Sequence, residues 1–329
     1  MMLKLIRPFM WRIWSTVWNL IALPISVASQ FWLWLGRVEG PSIDTNTSTS
    51  SNPFHITVEE HRITVPPGNG KLLKIGIFAE VYLKDDAIVR KVPRSNTHED
   101  SQPILREAMI YSILGKDPRI AECLSLGQTD FVDTKYYSNG DLAAFISDQI
   151  DKLDFDLQRK WFRQIIEAVN IIHKHGVIHS DLALRQFFLD DDLNARLGDF
   201  NSAQYPGHVA LGYEEASHCL PRDYEAPNSV TSDLFALGST LYELSTGKTP
   251  YSELYQTNSQ DHLHSGDHSV IRARIQREQQ ADQEIENRYR NQKFPDVNGL
   301  WGESIILGCW KGTITTAEEA LNICVELEN

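Results

Sequence analysis

The sequence has few cysteines and fewer basic than acidic residues, and both shortages exclude classes of protein. Its four cysteines, Cys123, Cys219, Cys309 and Cys324, lie far apart, form no C-x-x-C pair and are too few to crosslink 329 residues. We therefore expect reduced thiols in the core of a cytosolic domain. With 31 basic against 44 acidic residues, the formal net charge is -13. Sustained contact with nucleic-acid phosphates requires clustered Lys and Arg, so nucleic acid is excluded as the main partner.

Charged residues are also absent between Ile13 and Gly36. At about 1.5 Å per residue, a helix over this stretch would be roughly 36 Å long, which is enough to span a bilayer. Tryptophans stand at both ends, as is typical of membrane interfaces: Trp11, Trp14, Trp18, Trp32 and Trp34. We therefore predict that residues 1–37 attach the chain to a membrane as a spanning helix. Pro24 and several polar residues leave open a helix lying in the interface, and a buried soluble helix is the remaining alternative.

After this segment the composition changes twice. Residues 38–55 are rich in Ser and Thr and are expected to form a flexible linker. Over residues 56–135, short alternating runs broken by turn signals such as Asp85-Asp86 predict antiparallel strands. Over residues 136–329, apolar residues at spacings of three and four, as at Trp161, Ile165 and Ala168, predict helices. The sequence thus predicts an α+β chain with a small β-rich lobe and a larger helical lobe, because 42% hydrophobic residues suffice for a sizeable core.

Four charged residues offer the groups that transfer of a γ-phosphate requires. Lys91 ends a predicted strand, and Glu107 lies in an apolar helical stretch sixteen positions later. Asp181 and Asp199 follow in the second lobe. A cation for the phosphates, an oxygen ligand for magnesium and a carboxylate beside the accepting hydroxyl are then all present.

The segments around these residues resemble those of protein kinases. His179-Ser180-Asp181 resembles the H-R-D motif, Gln186 stands in the place of the catalytic-loop Asn, and Asp199-Phe200-Asn201 is similar to D-F-G. Further on, Asp233–Gly238 and Cys309-Trp310 resemble later motifs of the family. The resemblance implies a two-lobed protein-kinase-like fold that binds ATP and Mg²⁺ and acts on a protein substrate.

The resemblance also implies roles for single residues. Asp181 would accept the proton of the substrate hydroxyl, and Lys91, oriented by Glu107, would contact the α- and β-phosphates. Asp199 and Gln186 would be ligands of Mg²⁺. The other nucleotide-binding residues implied are Gly76, Ala79 and Val81 in the place of the glycine-rich loop.

The chain departs from the family pattern at several positions. Lys74 and Ala79 replace two glycines of the loop, and a Cβ at Ala79 is expected to limit the approach of the phosphates. Gln186 carries its amide one methylene further out than Asn, which predicts a looser second magnesium site. Ser180 replaces an Arg that in many kinases binds a phosphorylated activation loop. Arg222 stands where the family has the Glu of A-P-E, and because its usual Arg partner is not evident either, no unpaired buried charge is expected.

Three functions follow as hypotheses. The first is an active protein kinase, by default for Ser or Thr, with Tyr left open because Leu182–Arg185 resembles the catalytic loop of tyrosine kinases. The second is a membrane-tethered pseudokinase that binds nucleotide or acts as a scaffold, and the third is a small-molecule kinase. We expect membrane attachment with the catalytic domain in the cytosol; a cytoplasmic protein is the alternative.

Overall fold

The computed structural model describes residues 70–147, 153–223, 226–255 and 268–328. The expected membrane segment and linker, residues 1–37 and 38–55, lie outside these ranges, so both stay predictions. Within the described ranges, no helix combines the length and the apolar character needed to cross a bilayer.

The N-terminal part is a four-stranded antiparallel sheet in the order β1-β2-β3-β4. Its strands are Lys71–Ile75 (β1), Ala79–Lys84 (β2), Ile88–Pro93 (β3) and Val132–Lys135 (β4). Between β2 and β3, Asp85 and Asp86 both have positive φ, which Asp tolerates better than most residues, and the turn predicted there is confirmed. Strand β3 lies between β2 and β4, so Lys91 is paired across the sheet with Val81 and Val132.

Helix α1 (His98–Leu114) contacts strand β3 and, on its other side, the short turn Phe200–Ser202. Thr97 caps its N-terminus by accepting a hydrogen bond from the backbone N–H of Asp100 at 3.3 Å. Arg106 and Glu107 are both buried, with 6% and 2% of their surfaces exposed. Charged residues are rarely buried without partners, so α1 must find partners for both side chains outside the helix.

The rest of the described chain is mainly helical. Its helices are Leu142–Ser147 (α2), Phe155–Lys174 (α3), Val230–Thr246 (α4), His268–Arg290 (α5), Glu303–Lys311 (α6) and Ala317–Glu328 (α7). A two-stranded hairpin, Phe187–Leu189 (β5) and Ala195–Leu197 (β6), lies between α3 and α4 in the chain. Trp161, Ile165 and Ala168 of α3 are fully buried, as their spacing predicted. The short sheet followed by a larger helical region confirms the expected two-lobed α+β fold.

Helices α4 and α6 pack closely because α4 has Gly238 where they meet. A Cβ on Gly238 would lie 3.0 Å from the Cβ of Cys309 and 3.1 Å from Cδ1 of Trp310. The indole N–H of Trp310 donates to Oγ of Ser239 at 3.0 Å. Two motifs that are more than 70 residues apart in the sequence therefore form one contact in the core. All four cysteines are buried and free.

Candidate active site

The ammonium of Lys91 binds two carboxylates. Its Nζ lies 2.7 Å from Oε2 of Glu107 on helix α1 and 2.6 Å from Oδ1 of Asp199. Lys91 is held on the central sheet strand β3, whereas Asp199 follows strand β6 in the helical lobe with φ 59° and ψ 57°. This left-handed conformation turns the side chain of Asp199 toward the sheet. The structure thus brings together three of the residues selected from the sequence.

The three charges stabilise one another in a buried place. Burial alone would lower the pKa of the Lys91 ammonium, but Asp199 and Glu107 outweigh it and raise the pKa above its usual value. Burial would raise the pKa of Asp199, but Lys91 holds it below its usual value. Burial raises the pKa of Glu107, against the opposing charge of Lys91. At neutral pH the site therefore holds an ammonium ready for an anionic ligand and an ionised Asp199.

Asp181 lies at the same site and is bound by two donors. Nη2 of Arg185 donates to Oδ1 of Asp181 at 2.7 Å, and the amide nitrogen of Gln186 donates to Oδ2 at 2.9 Å. The other guanidinium nitrogen of Arg185, Nη1, lies 3.3 Å from Oε1 of Glu215. Burial raises the pKa of Asp181 to about 7, and Arg185 opposes this rise. A carboxyl group with this pKa can both accept and release a proton near neutral pH.

The loop that carries Asp181 is fixed by Asp233 of helix α4. Its two carboxylate oxygens accept hydrogen bonds from the backbone N–H groups of His179, at 2.6 Å, and Ser180, at 3.0 Å. Ser180 has φ 66°, and its hydroxyl donates to the carbonyl of Ile178 at 3.2 Å. The Nε2 of His179 is hydrogen-bonded to the carbonyl of Gly198 at 3.1 Å, directly before Asp199. His179 thus supports both acidic motifs by packing, as its expected role requires.

The glycine-poor loop between β1 and β2 is closed by the N–H of Gly76, which donates to the carbonyl of Ala79 at 2.7 Å. Ala79 belongs to the buried core and is 8% exposed, so its methyl group mostly faces protein atoms rather than the cleft. Lys74 interacts electrostatically with Asp199 and Lys91, and burial lowers the pKa of its ammonium. The loop therefore presents a positive charge toward the site where the family has a glycine.

The donors present suit Mg²⁺ bound together with phosphates. Asp199 offers carboxylate oxygens, and because the amide nitrogen of Gln186 is used by Asp181, its amide oxygen is left as an acceptor. Within the described ranges, no group of three or more His, Cys, Asp or Glu residues could hold a metal by itself. Mg²⁺ is commonly bound through one or two carboxylates plus the phosphates of a substrate. Asp199 and Gln186 fit that pattern.

Two acidic residues of the site were missed from the sequence. We call residues 199–222 the activation segment. Its Glu215 contacts Arg185 beside Asp181, and no sequence signal indicates this contact because Glu215 lies 34 positions after Asp181. Its buried Glu214 pairs with Nη2 of Arg222 at 2.9 Å. The expectation that no buried charge remains at Arg222 is therefore wrong, because a new ion pair within the segment has replaced the one that the family pattern has.

Comparison with known proteins agrees with this geometry. Residues 74–314 match the family model described as the protein kinase domain. The hormonally up-regulated neu tumor-associated kinase of Mus musculus is 25% identical over 56% of this chain and 28% of its own length. The carbon catabolite-derepressing protein kinase of Secale cereale is 27% identical over 56% and 40% of the two chains.

The serine/threonine-protein kinase Nek3 of Mus musculus is 32% identical over 50% of this chain and 33% of its own length. The matched region thus spans between 28% and 40% of the lengths of these three relatives. The family model covers most of the chain and includes all the residues placed at the site. By this match and by its two-lobed structure, the chain belongs to the protein kinase domain family.

Proposed function

We propose that the protein is an active protein kinase that transfers the γ-phosphate of ATP to a protein hydroxyl. The observation that carries the proposal is the buried contact of Lys91 with Glu107 and Asp199, with Asp181 in the same site. ATP supplies the transferable phosphoryl group, and bound Mg²⁺ neutralises its charge. Lys91 binds the α- and β-phosphates, Glu107 orients Lys91, and Asp199 with Gln186 holds the metal. Gly76, Ala79 and Val81 form the cover over the nucleotide.

Asp181 takes the proton of the accepting hydroxyl. Its pKa of about 7 leaves a large fraction of the carboxylate ionised at neutral pH, and the hydrogen bonds from Arg185 and Gln186 orient it. Serine or threonine is the proposed acceptor, because the curated relatives include serine/threonine kinases. Arg185, four residues after Asp181, keeps tyrosine as the second possibility.

A pseudokinase is the second candidate, and one contact favours it. Oδ1 of Asp199 is bound to Lys91 at 2.6 Å, so this oxygen is not free for a metal until the ammonium moves onto a phosphate. A protein that stays in this arrangement would bind nucleotide weakly and serve as a binding module.

Transfer of labelled phosphate from ATP with Mg²⁺ tests the proposal. The full chain is compared with Asp181→Asn, Asp199→Asn and, as a control, Asp191→Asn, whose side chain is 73% exposed. We expect Asp181→Asn to lower kcat by about 10²–10⁴-fold, as loss of a general base does, and the control to leave it unchanged. Equal, minimal incorporation by wild type and both site variants would overturn the kinase proposal. Thermal shift with ATP, with and without Mg²⁺, would then show whether nucleotide still binds.

A further inference from the structure

Arg106 is a buried cation that the proposed phosphoryl transfer does not use. It directly precedes Glu107 on helix α1 and is 6% exposed. Among the residues that the structure describes, no carboxylate is recorded as its partner, and burial lowers the pKa of its guanidinium. A buried charge without a counterion is costly unless hydrogen bonds replace water. The guanidinium must therefore be satisfied in another way.

Its partners are backbone carbonyls of the activation segment. Nη1 of Arg106 donates to the carbonyl of Ala203 at 2.7 Å and also to the carbonyl of Val209. The guanidinium carbon lies 5.5 Å from the ring centre of Tyr205, which stacks on His208 with 4.2 Å between ring centres. One side chain from helix α1 thus holds both ends of a short stretch of the segment.

This stretch is a tight hairpin. The N–H of Leu211 donates to the carbonyl of Ser202 at 3.0 Å, and Tyr205 and His208 exchange backbone hydrogen bonds of 3.2 and 2.9 Å. Gly207 in the turn between them has φ 80°. Because a charge-assisted hydrogen bond is stronger than a neutral one, the two bonds from Arg106 are well suited to hold this hairpin against α1.

We propose that Arg106 is a positioning residue, which orders the activation segment through the carbonyls of Ala203 and Val209 so that no phosphate group is needed. Nη1 is already used by both carbonyls. Ser180, in place of an arginine, offers no cation for a phosphate, and Tyr205 is the only residue with a hydroxyl between Ala203 and Gly212.

The same contact supports the catalytic groups. Helix α1 presents Arg106 to the hairpin and Glu107 to Lys91, and the backbone of Phe200 is hydrogen-bonded to Glu107. Further along the segment, Glu215 reaches Arg185 beside Asp181. Loosening the hairpin should therefore disturb the acceptor side of the site more than the nucleotide side.

Amide hydrogen exchange tests the proposal without depending on turnover. Full chain treated with phosphatase is compared with Arg106→Met and with the control Arg163→Met, an arginine on helix α3 whose side chain is 44% exposed. We expect the amides of Tyr205, His208 and Leu211 to exchange at least about tenfold faster in Arg106→Met, as loss of charge-assisted hydrogen bonds implies. The wild type should be unaffected by the phosphatase. Unchanged exchange in Arg106→Met, or faster exchange in phosphatase-treated wild type, would overturn the proposal.

Two further measurements keep the test decisive. If Arg106→Met does not fold, Arg106→Lys retains the charge but lacks the planar fork of donors, and it should show a smaller rise in exchange at the same three amides. With myelin basic protein as the probe substrate, kcat/KM for the protein should fall about tenfold in Arg106→Met, whereas KM for ATP should change less than about threefold. This activity arm rests on the proposed kinase function. An inactive wild type with the expected exchange pattern would refute that function and leave the role of Arg106 supported.

Discussion

At the scale of single residues, three side chains surround the carboxylate of Asp181. Arg185 and Gln186 donate to its two oxygens, and Glu215 approaches through Arg185. Burial raises the pKa of Asp181, Arg185 lowers it, and the negative charge of Glu215 raises it further. The proton affinity of the proposed base is therefore set partly by a residue of the activation segment.

Glu215→Gln should shift the pH profile of kcat/KM to lower pH. A general base acts when it is ionised, so activity in the wild type should rise with pH through about 7, the pKa of Asp181. Removing the charge of Glu215 removes one cause of the raised pKa, so the midpoint should fall by up to about 1 pH unit. The pH dependence of kcat/KM is the right measurement because it reports the free enzyme. Glu318→Gln, with 61% of its side chain exposed, serves as control, and a shift to higher pH in Glu215→Gln would contradict the account.

At the scale of elements, the activation segment carries its own anchor in Glu214 and Arg222. Their side chains are 0% and 10% exposed, and Arg222 also donates to the amide oxygen of Asn228 directly before helix α4. Burial raises the pKa of Glu214, against the opposing charge of Arg222. The end of the segment is thus tied to the start of α4 through one buried ion pair.

Glu214→Gln should destabilise the protein by about 3 kcal/mol, because removing one partner leaves a buried charge uncompensated. Adding Arg222→Met should cost much less than the sum of the two single changes, since the double variant leaves no unpaired charge. Urea unfolding of the two single variants and the double variant measures the coupling. Strictly additive losses would show that the pair contributes nothing to the anchor.

The start of helix α6 provides a second prediction at this scale. Gly302, with φ 76°, precedes the helix, and a Cβ there would overlap the ring of the buried Phe162. Gly299 has nearly the same φ, 78°, but no atom within 4 Å of an added Cβ. Gly302→Ala should therefore cost about 2–4 kcal/mol from strain and overlap, whereas Gly299→Ala should cost about 1–2 kcal/mol from its backbone alone. Equal shifts in urea midpoint would contradict the role given to Phe162.

At the scale of the whole molecule, two contacts join the lobes at the site. Lys91 of the sheet binds Asp199 of the helical lobe, and Arg106 of helix α1 binds the carbonyls of Ala203 and Val209. Both depend on the position of α1, since Glu107 and Arg106 are neighbours on it. A shift of this helix would change the nucleotide side and the activation segment together.

Membrane attachment is the prediction that concerns the chain as a whole. Residues 1–37 combine an uncharged stretch with tryptophans at both ends, so full-length protein should stay with the membrane fraction after carbonate extraction. A variant that lacks residues 1–37 should be found in the supernatant. Release of the full-length chain by carbonate would rule out a spanning helix.

Much of the fold and part of the site could be predicted from the sequence because the necessary signals are local. Turn residues such as Asp85-Asp86 and the apolar spacing in helix α3 report the conformation of a few neighbouring residues. Asp181 and Gln186 lie on one short loop, and only the hairpin β5-β6 separates them from Asp199. Their spacing along the chain therefore indicates one site before any tertiary contact is known.

The contacts of Arg106, Glu214 and Glu215 were decided only by the tertiary structure. Arg106 binds carbonyls 97 and 103 positions away, and backbone carbonyls carry no residue-type signal that a sequence pattern could show. Glu215 and Glu214 are two acids among 44, and the packing of the segment on the helical lobe selects their partners. By itself the sequence determined the fold class and the order of the charged groups along the chain. Tertiary packing decided which of these charges are buried and which partners they meet, because burial and proximity arise only when distant segments come together.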